Sequence, residues 1–434
     1  MNVPHISSPP KPPEYEPELF VDREFEIGKV LELAQDLANG RVIPRRTIIF
    51  RGERGCGKSW LLRHLAREQD PPDVVIKGRR LGEIRGVCPW YVSLSSFDNH
   101  APEAAVKQII AGLRNQIGQW RKTSPPFSAV PDLSLAELCS LAVGEAKDLS
   151  QGHVLAVLLD HVYESSPQLL ELLEDRLLAP LAVLPKVMII MAGRGRGFPW
   201  KAPELRIRAD EYWLHGLGEP ATTASDVFQP DRSKMLLATQ DQLERLKQPG
   251  GYKITNSAND IIDISQGNPL AGLLLAVGCD TASALDELLK GVDETGRRLL
   301  ELLCVLRFFH ERQVQGLLAA CQDVCRDCKT ESPSPGDVIV RLLRTNLVQY
   351  DKSRAAYVVD EVIRTLLERD LLERRRDCWR SLHCAAYRLY QGWSERYPEA
   401  RARLQAEADY HAARLRSVGE DTDACPQLQD QEES

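Results

Sequence analysis

No apolar run in this chain approaches the roughly 20 residues that a membrane-spanning helix requires. The N-terminus, Met1 to Pro10, has neither the basic segment nor the apolar core of a secretory signal. There is no internal repeat and no excess of basic charge: 55 Lys and Arg stand against 62 Asp and Glu, a net −7. That balance argues against a nonspecific coat for nucleic acid or membrane, while leaving room for a local basic face. A cytoplasmic protein is the default expectation. A closed disulfide framework is also missing, because the eleven cysteines are odd in number and scattered. Most, such as Cys139, Cys279 and Cys304, sit in apolar helical runs, where a reduced thiol packs as a small hydrophobe. Cys321, Cys325 and Cys328 are spaced closely enough for a zinc site completed by Cys378 or His383. No second cysteine pair supports it, so local packing plus a loop is the better reading. What remains is ordinary globular material, 43% apolar and 27% charged over 434 residues. It is long enough for about two to four domains.

The most informative stretch is Gly52-Glu53-Arg54-Gly55-Cys56-Gly57-Lys58-Ser59, a complete phosphate-binding P-loop. Thr47-Ile48-Ile49-Phe50 before it reads as a buried strand. After it, Trp60 opens a helix whose Leu61, Leu62, Leu65 and Ala66 share one face. The chemistry needs this arrangement. Gly52, Gly55 and Gly57 let the backbone curl, so that N–H groups from there through Cys56, Lys58, Ser59 and Trp60 turn toward phosphate oxygens. The helix N-terminus adds roughly half a positive charge. Lys58 is placed to reach the terminal phosphates, and the Ser59 hydroxyl to ligate Mg²⁺.

Residues 1–18 hold six prolines and read as a mobile tail. From 19 to 218, apolar strands alternate with amphipathic helices. Pro89–Leu94, Val154–Leu159 and Lys186–Met191 are the further strands, with helices over Ala104–Ile117 and Leu169–Leu178. Strands apolar throughout indicate a parallel sheet covered on both faces, an α/β, doubly wound nucleotide-binding domain. From 219 to 291 short helices replace the strands, among them Ala221–Phe228, Ser233–Leu246, Ser257–Ile264 and Ala271–Val277. Over 292–370, three helices and a two-stranded hairpin follow the order of a winged helix. A helical, arginine-rich segment covers 371–418, and 419–434 reads as an acidic, disordered tail.

Asp160 ends its strand where a carboxylate beside the P-loop can hold Mg²⁺ directly or through water. Glu164 is four residues on and could orient or deprotonate an attacking water, or be a solvated loop carboxylate. Arg194, or Arg196 just after it, could tell a triphosphate from a diphosphate through a charge-assisted hydrogen bond. In Gly267-Asn268-Pro269, Pro269 suits the first turn of a helix and could close the cleft over the nucleotide.

Taken in order, these elements resemble the signal-transducing STAND ATPases, relatives of the NB-ARC and NACHT proteins. Phe20-Val21-Asp22-Arg23-Glu24 resembles the short motif before their P-loop, which implies that Val21 and Arg23 line the adenine side. Val157–Asp160 matches the Walker B strand, Glu164 the last acid of the NACHT pattern, and Ala192-Gly193-Arg194 the sensor arginine. Tyr212-Trp213-Leu214-His215-Gly216-Leu217 resembles the entry to the helical lid, and Gly267-Asn268-Pro269 the Gly-x-Pro signature. The resemblance covers roughly 19–370. It implies a P-loop ATPase domain, a helical lid, a winged helix and a C-terminal helical segment, binding ATP or ADP with Mg²⁺. His161 stands where NB-ARC members carry a second acid, which implies slow hydrolysis. Tyr357-Val358-Val359 lacks the winged-helix histidine that touches the diphosphate in many members.

The function so implied is a nucleotide-driven switch in bacterial signalling or antiphage defence, acting on a separately encoded effector or sensor and forming nucleotide-dependent homo-oligomers. A DNA-acting ATPase of the origin-recognition type shares the same order of parts. It would want a basic recognition helix or wing, and here Lys352 and Arg354 flank Asp351, with Arg341 and Arg344 on the helix before. A metabolic P-loop kinase ranks last, since the helical C-terminal half adds nothing to small-molecule phosphorylation.

Overall fold

The computed structural model describes residues 15–66, 80–122, 133–194, 198–223, 231–247, 254–321, 334–345, 347–351 and 354–425. They form two compact units: 15–262 together with Gly267–Val277, and Asp263–Gln266 together with 278–425. The division after Val277 falls inside the 219–291 segment expected to form one lid. None of the described helices is long and apolar enough to cross a membrane.

The first unit is built on a five-stranded sheet of β1 (Thr47–Gly52), β2 (Val87–Ser93), β3 (Val154–Asp160), β4 (Val187–Gly193) and β5 (Ala209–Leu214). The order is β2-β3-β4-β1-β5 and every pairing is parallel. Strands β3 and β4 are buried along their whole length, as their unbroken apolar sequences require. Their side chains alternate between two cores. Leu155, Val157, Ile189 and Met191 pack with helices α3 (Pro102–Trp120), α4 (Leu135–Ser150) and α5 (Pro167–Leu173). Ala156, Leu158, Met188 and Ile190 pack with α1 (Glu24–Ala38) and α2 (Lys58–Ala66) on the other face. The sheet is therefore doubly wound.

Several local expectations change. The strand beside β1 is β4, not β3, so the Asp160 strand lies one place removed from the P-loop strand. Strand β5 is an edge with half-exposed side chains and lacks the apolar run that marks the other four. Helix α4 is announced by a capping box: Ser134 accepts from the Glu137 N–H, and the Glu137 carboxylate accepts from the Ser134 N–H at 2.8 Å. The single helix expected over 169–178 is interrupted by a π-helical turn, Glu174–Leu178, before α6 (Ala179–Ala182). Pro180, with no N–H to give, lies just beyond that turn. After α7 (Pro203–Arg206), the helix expected from Ala221 does not start there. Thr222 bridges Trp213 antiparallel, with N–H···O distances of 3.0 and 2.7 Å; residues 224–230 lie outside the described ones. Then come α8 (Arg232–Lys247), α9 (Ala258–Ser265) and α10 (Pro269–Ala276).

The second unit holds α11 (Thr281–Leu288), α12 (Glu294–Leu303), α13 (Glu311–Cys321), α14 (Pro335–Arg344) and the antiparallel hairpin β6 (Val348–Asp351)–β7 (Ala356–Val359). Phe309 adds a two-bond bridge to Tyr357, at 2.8 and 2.9 Å, in the order of a winged helix. Helices α15 (Glu361–Arg374), α16 (Arg376–Arg396) and α17 (Arg401–Ser417) follow. Helix α17 runs back along α16: Arg401 bonds Ser394 O, His411 meets His383, and Arg376 reaches Val418 O. That return also pairs two of the scattered cysteines. It brings Cys425 to Cys384 with a Cα–Cα distance of 5.2 Å, and the two form a disulfide. Cys139, Cys279 and Cys304 are free and buried. Cys325 and Cys328 lie outside the described residues, and among the described ones no group of three or more His, Cys, Asp or Glu could hold a metal. The described chain extends past both expected tail boundaries. Pro17–Leu19 forms a 3₁₀ turn, and Thr422–Ala424 another.

Candidate functional site

The P-loop joins β1 to α2 with Gly55 at φ +80° and Gly57 at φ +92°. Gly55 is irreplaceable on two counts. Its backbone is left-handed, and a Cβ there would lie 2.6 Å from Asn268 Oδ1. Lys58 is buried, and its ammonium folds back onto the loop, donating to Gly52 O at 2.9 Å and Glu53 O at 2.6 Å. Cys56 Sγ is 3.5 Å from the same nitrogen, and the Cys56 side chain belongs to the core.

Asp160, 1% exposed, ends β3. Burial pushes its carboxyl up. Hydrogen bonds and charge from His161, with further bonds from Ser59 and Tyr91, outweigh that and hold it below its ordinary range. The His161 N–H donates to Oδ1 at 2.9 Å, and the Tyr91 hydroxyl to Oδ2 at 3.0 Å. Burial, then the Asp160 charge, pushes the Tyr91 phenol up to about 12, so it remains a donor. His161 has φ +57°, and its Nδ1 lies 3.3 Å from Asp160 Oδ2 and 3.1 Å from Ser93 Oγ.

Glu164 and Arg194, read separately from sequence, form one pair. The Arg194 Nε–H donates to Glu164 Oε1 at 2.7 Å and its backbone N–H to Oε2 at 3.1 Å. The strand order explains this: β4 lies beside β3, so its end faces the 3₁₀ turn Val162–Glu164. Arg196 lies outside the described residues.

Two further segments are tied to the loop. Asn268 caps α10 through the Ala271 N–H and donates from Nδ2 to Arg54 O at 2.7 Å; the Leu270 N–H reaches Gly55 O at 3.2 Å. Asp22 and Arg23 are consecutive left-handed residues, φ +64° and +82°. Such non-glycine backbone costs on the order of 1–3 kcal/mol per residue and persists only where other contacts enforce it. Here Arg23 is 3% exposed and donates to Cys56 O at 2.8 Å and His215 O at 2.7 Å, while Asp22 accepts from the Gly218 N–H. Burial, then the Arg23 charge, lowers His215 to about 4, so its ring is neutral near pH 7.

These parts enclose a cavity of about 270 Å³. Its polar lining includes Arg23, Lys58, Ser59, Asp160, Glu164 and Arg194, beside Gly55, Gly57 and Trp60. Its apolar lining includes Leu19, Phe20, Val21, Leu217, Pro269 and Leu273. Of the residues proposed from sequence, Gly52 and Cys56 do not line it. The sequence reading missed Gln242 and Leu273, which sit on helices with no motif to mark them, Leu217, which it quoted only as part of the lid entry, and Tyr91 behind Asp160. Ser59 and Asp160, already hydrogen-bonded to each other, are hard oxygen ligands of the kind Mg²⁺ takes beside phosphates and water. The curled loop with a lysine inside it fits a phosphate chain.

No protein-family model matches the chain, and no curated protein matches it in sequence. Among solved structures it is similar to the ORC2 protein of Aeropyrum pernix in ADPNP–ADP complexes, at 12% identity and TM-score 0.37, over 81% of this chain and 96% of that one. It is also similar to the Aeropyrum pernix ORC1 protein in complex with DNA, at 16% identity and TM-score 0.39, over 84% and 96%. A third likeness is to AMPPCP-bound DnaA from Aquifex aeolicus, at 13% identity and TM-score 0.33, over 84% and 93%. Likenesses this distant assign no family. The chain's own sheet order and glycine loop make its first unit a P-loop nucleotide-binding fold.

Proposed function

We propose that the protein is an ATP-binding, slowly hydrolysing switch of the STAND type, which changes conformation or assembly state to control a separately encoded partner in bacterial signalling or antiphage defence. The observation that carries this reading is the single cavity shared by Lys58, Ser59, Asp160, Glu164 and Arg194. Ser59 and Asp160 would hold Mg²⁺, which would supply positive charge to the phosphate oxygens. Lys58 turns from its loop carbonyls to the terminal phosphates. Arg194 senses the last phosphate, and Glu164 orients the attacking water. The Glu164–Arg194 pair supports slow turnover, because each group must loosen from the other before it can act on substrate. His161, in place of a second acid, supports the same conclusion.

A second reading, an origin-recognition-like AAA+ ATPase that binds DNA through its winged helix, is favoured by the helix and hairpin order of α12 to β7. Against it, Arg341 is paired with Asp293 at 2.7 Å and Arg354 with Asp351 at 3.6 Å, which reduces the charge available to phosphates. Light scattering with ADP, with ATP and with a slowly hydrolysed analogue, each with and without duplex DNA, tests both. A nucleotide-dependent change in size without DNA supports the switch. A change that requires DNA supports the second reading, and identical behaviour in every arm removes both.

A further inference from the structure

Helix α8 carries a buried stripe of Met235, Thr239, Gln242, Leu243 and Leu246. Gln242 is the misfit in it. Its side chain is 2% exposed, lines the cavity, and has an oxygen, Oε1, with no hydrogen-bond partner. A buried carboxamide carries two donors and an acceptor and is costly to leave unpaired, so a partner from outside the chain is the natural explanation. Its position says which part of a ligand it would meet. Arg245, on the next turn of α8, donates to Phe20 O at 2.7 Å. At the other end of the helix, Lys234 and Met235 pack so closely on Gly218 that a Cβ there would lie 2.4 Å from the Lys234 carbonyl carbon. Helix α8 thus spans from Leu217 to Phe20, and Gln242 faces the cavity among Leu19, Phe20, Val21, Leu217 and Leu273. That apolar lining suits the flat face of a base, whereas the phosphate-binding groups sit on the P-loop, β3 and β4.

We propose that the Gln242 carboxamide reads the base of the bound nucleotide, accepting from the 6-amino group of adenine and donating to an adjacent ring nitrogen. This rests on the nucleotide reading of the cavity and adds to it the residue that makes the site selective for adenine. Gln242 makes no contact with the reacting phosphates, so it sets affinity and leaves the chemical step alone.

The test compares binding of ATP, GTP and purine-riboside triphosphate, which lacks only the 6-amino group, to the full-length protein with Mg²⁺ by calorimetry. Wild type is expected to bind ATP about tenfold or more tightly than either competitor, the discrimination one paired buried polar group provides. In Gln242→Met, of similar volume, the three affinities converge while all three ligands still bind; thermal melting without nucleotide confirms that the variant folds. Equal binding of ATP and the purine-riboside compound by wild type overturns the proposal and leaves the nucleotide site intact. So does unchanged selectivity in Gln242→Met. No binding of any triphosphate by wild type overturns the nucleotide reading itself. The wild-type comparison decides the matter even if the variant does not fold.

Discussion

In the first unit Lys58, Asp160 and Gln242 are all at least nine-tenths buried and all line one cavity; in the second, Glu368, His383 and His411 are as deeply buried and face one another. His383 Nδ1 lies 3.0 Å from His411 Nδ1, so one ring donates and the other accepts, and His383 Nε2 lies 3.3 Å from Glu368 Oε1. Arg414 donates to the same Glu368 oxygen at 2.7 Å. Burial pushes the Glu368 carboxyl up, but His383 and Arg414 hold it below its ordinary range. Burial lowers His383 and takes His411 well below the usual histidine value. His411 Nε2 has no hydrogen-bond partner, as Gln242 Oε1 has none; what separates the two sets is that buried polarity turned onto itself specifies packing, whereas buried polarity that opens on a cavity is kept for a ligand. Substitutions in the second set should therefore damage the fold, and those in the first should damage binding.

The sharpest way to break that contrast is Glu368→Gln. It strands Arg414 and His383 in a largely buried site, and a loss of about 3 kcal/mol is expected, at the low end for a broken buried pair because Arg414 is partly exposed. Denaturant melting would show it, with nucleotide affinity unchanged; a loss of affinity instead would mean the two sets are not separable. Next in size is Glu164→Gln, expected to lower ATP turnover on the order of a hundredfold while nucleotide still binds. Turnover equal to wild type would move the base elsewhere. Lys58→Ala should melt near wild type without ligand, yet lose the stabilisation of about 2.7 kcal/mol that ATP–Mg²⁺ gives at a hundred times its dissociation constant. The same thermal shift in both proteins would remove Lys58 from the site.

The smallest effect concerns pH. His383 and His411 have folded-state values below the 6.5 of a free histidine, so the unfolded chain binds more protons just below that pH. Their contribution is present above about pH 6.5 and is lost as pH falls toward the folded values. His215 in the first unit, at about 4, acts in the same direction. Stability should fall by about 1–2 kcal/mol between pH 7 and 5.5, and His411→Gln should flatten that slope. An unchanged slope would place the acid sensitivity outside the His383–His411 pair.

The parts legible in the sequence are those with local signatures. An apolar run six or seven residues long marked β3 and β4 as buried strands, and helical spacing marked α2 and α3. The same reasoning failed at β5, whose half-exposed edge gives no such run, and at α4, whose Ser134–Glu137 capping signal was present and went unused. At 174–178 the helical period continues through a π turn that periodicity does not register.

By itself the sequence determined the alternation of strands and helices, the glycine-lysine loop and its phosphate chemistry, and the carboxylate at the end of β3. Backbone stereochemistry and side-chain period act over a few residues and leave their mark in linear order. Only the tertiary structure decided that β4 stands between β1 and β3, and so that Arg194 binds Glu164 thirty residues away. It alone set the Arg23 guanidinium on the carbonyls of Cys56 and His215, joined Cys384 to Cys425, and turned Gln242 from a polar residue on a helix into a cavity-wall amide whose oxygen has no partner. Each of these is a meeting of groups far apart in the chain. Strand order and helix packing set such meetings, and those depend on the whole core at once.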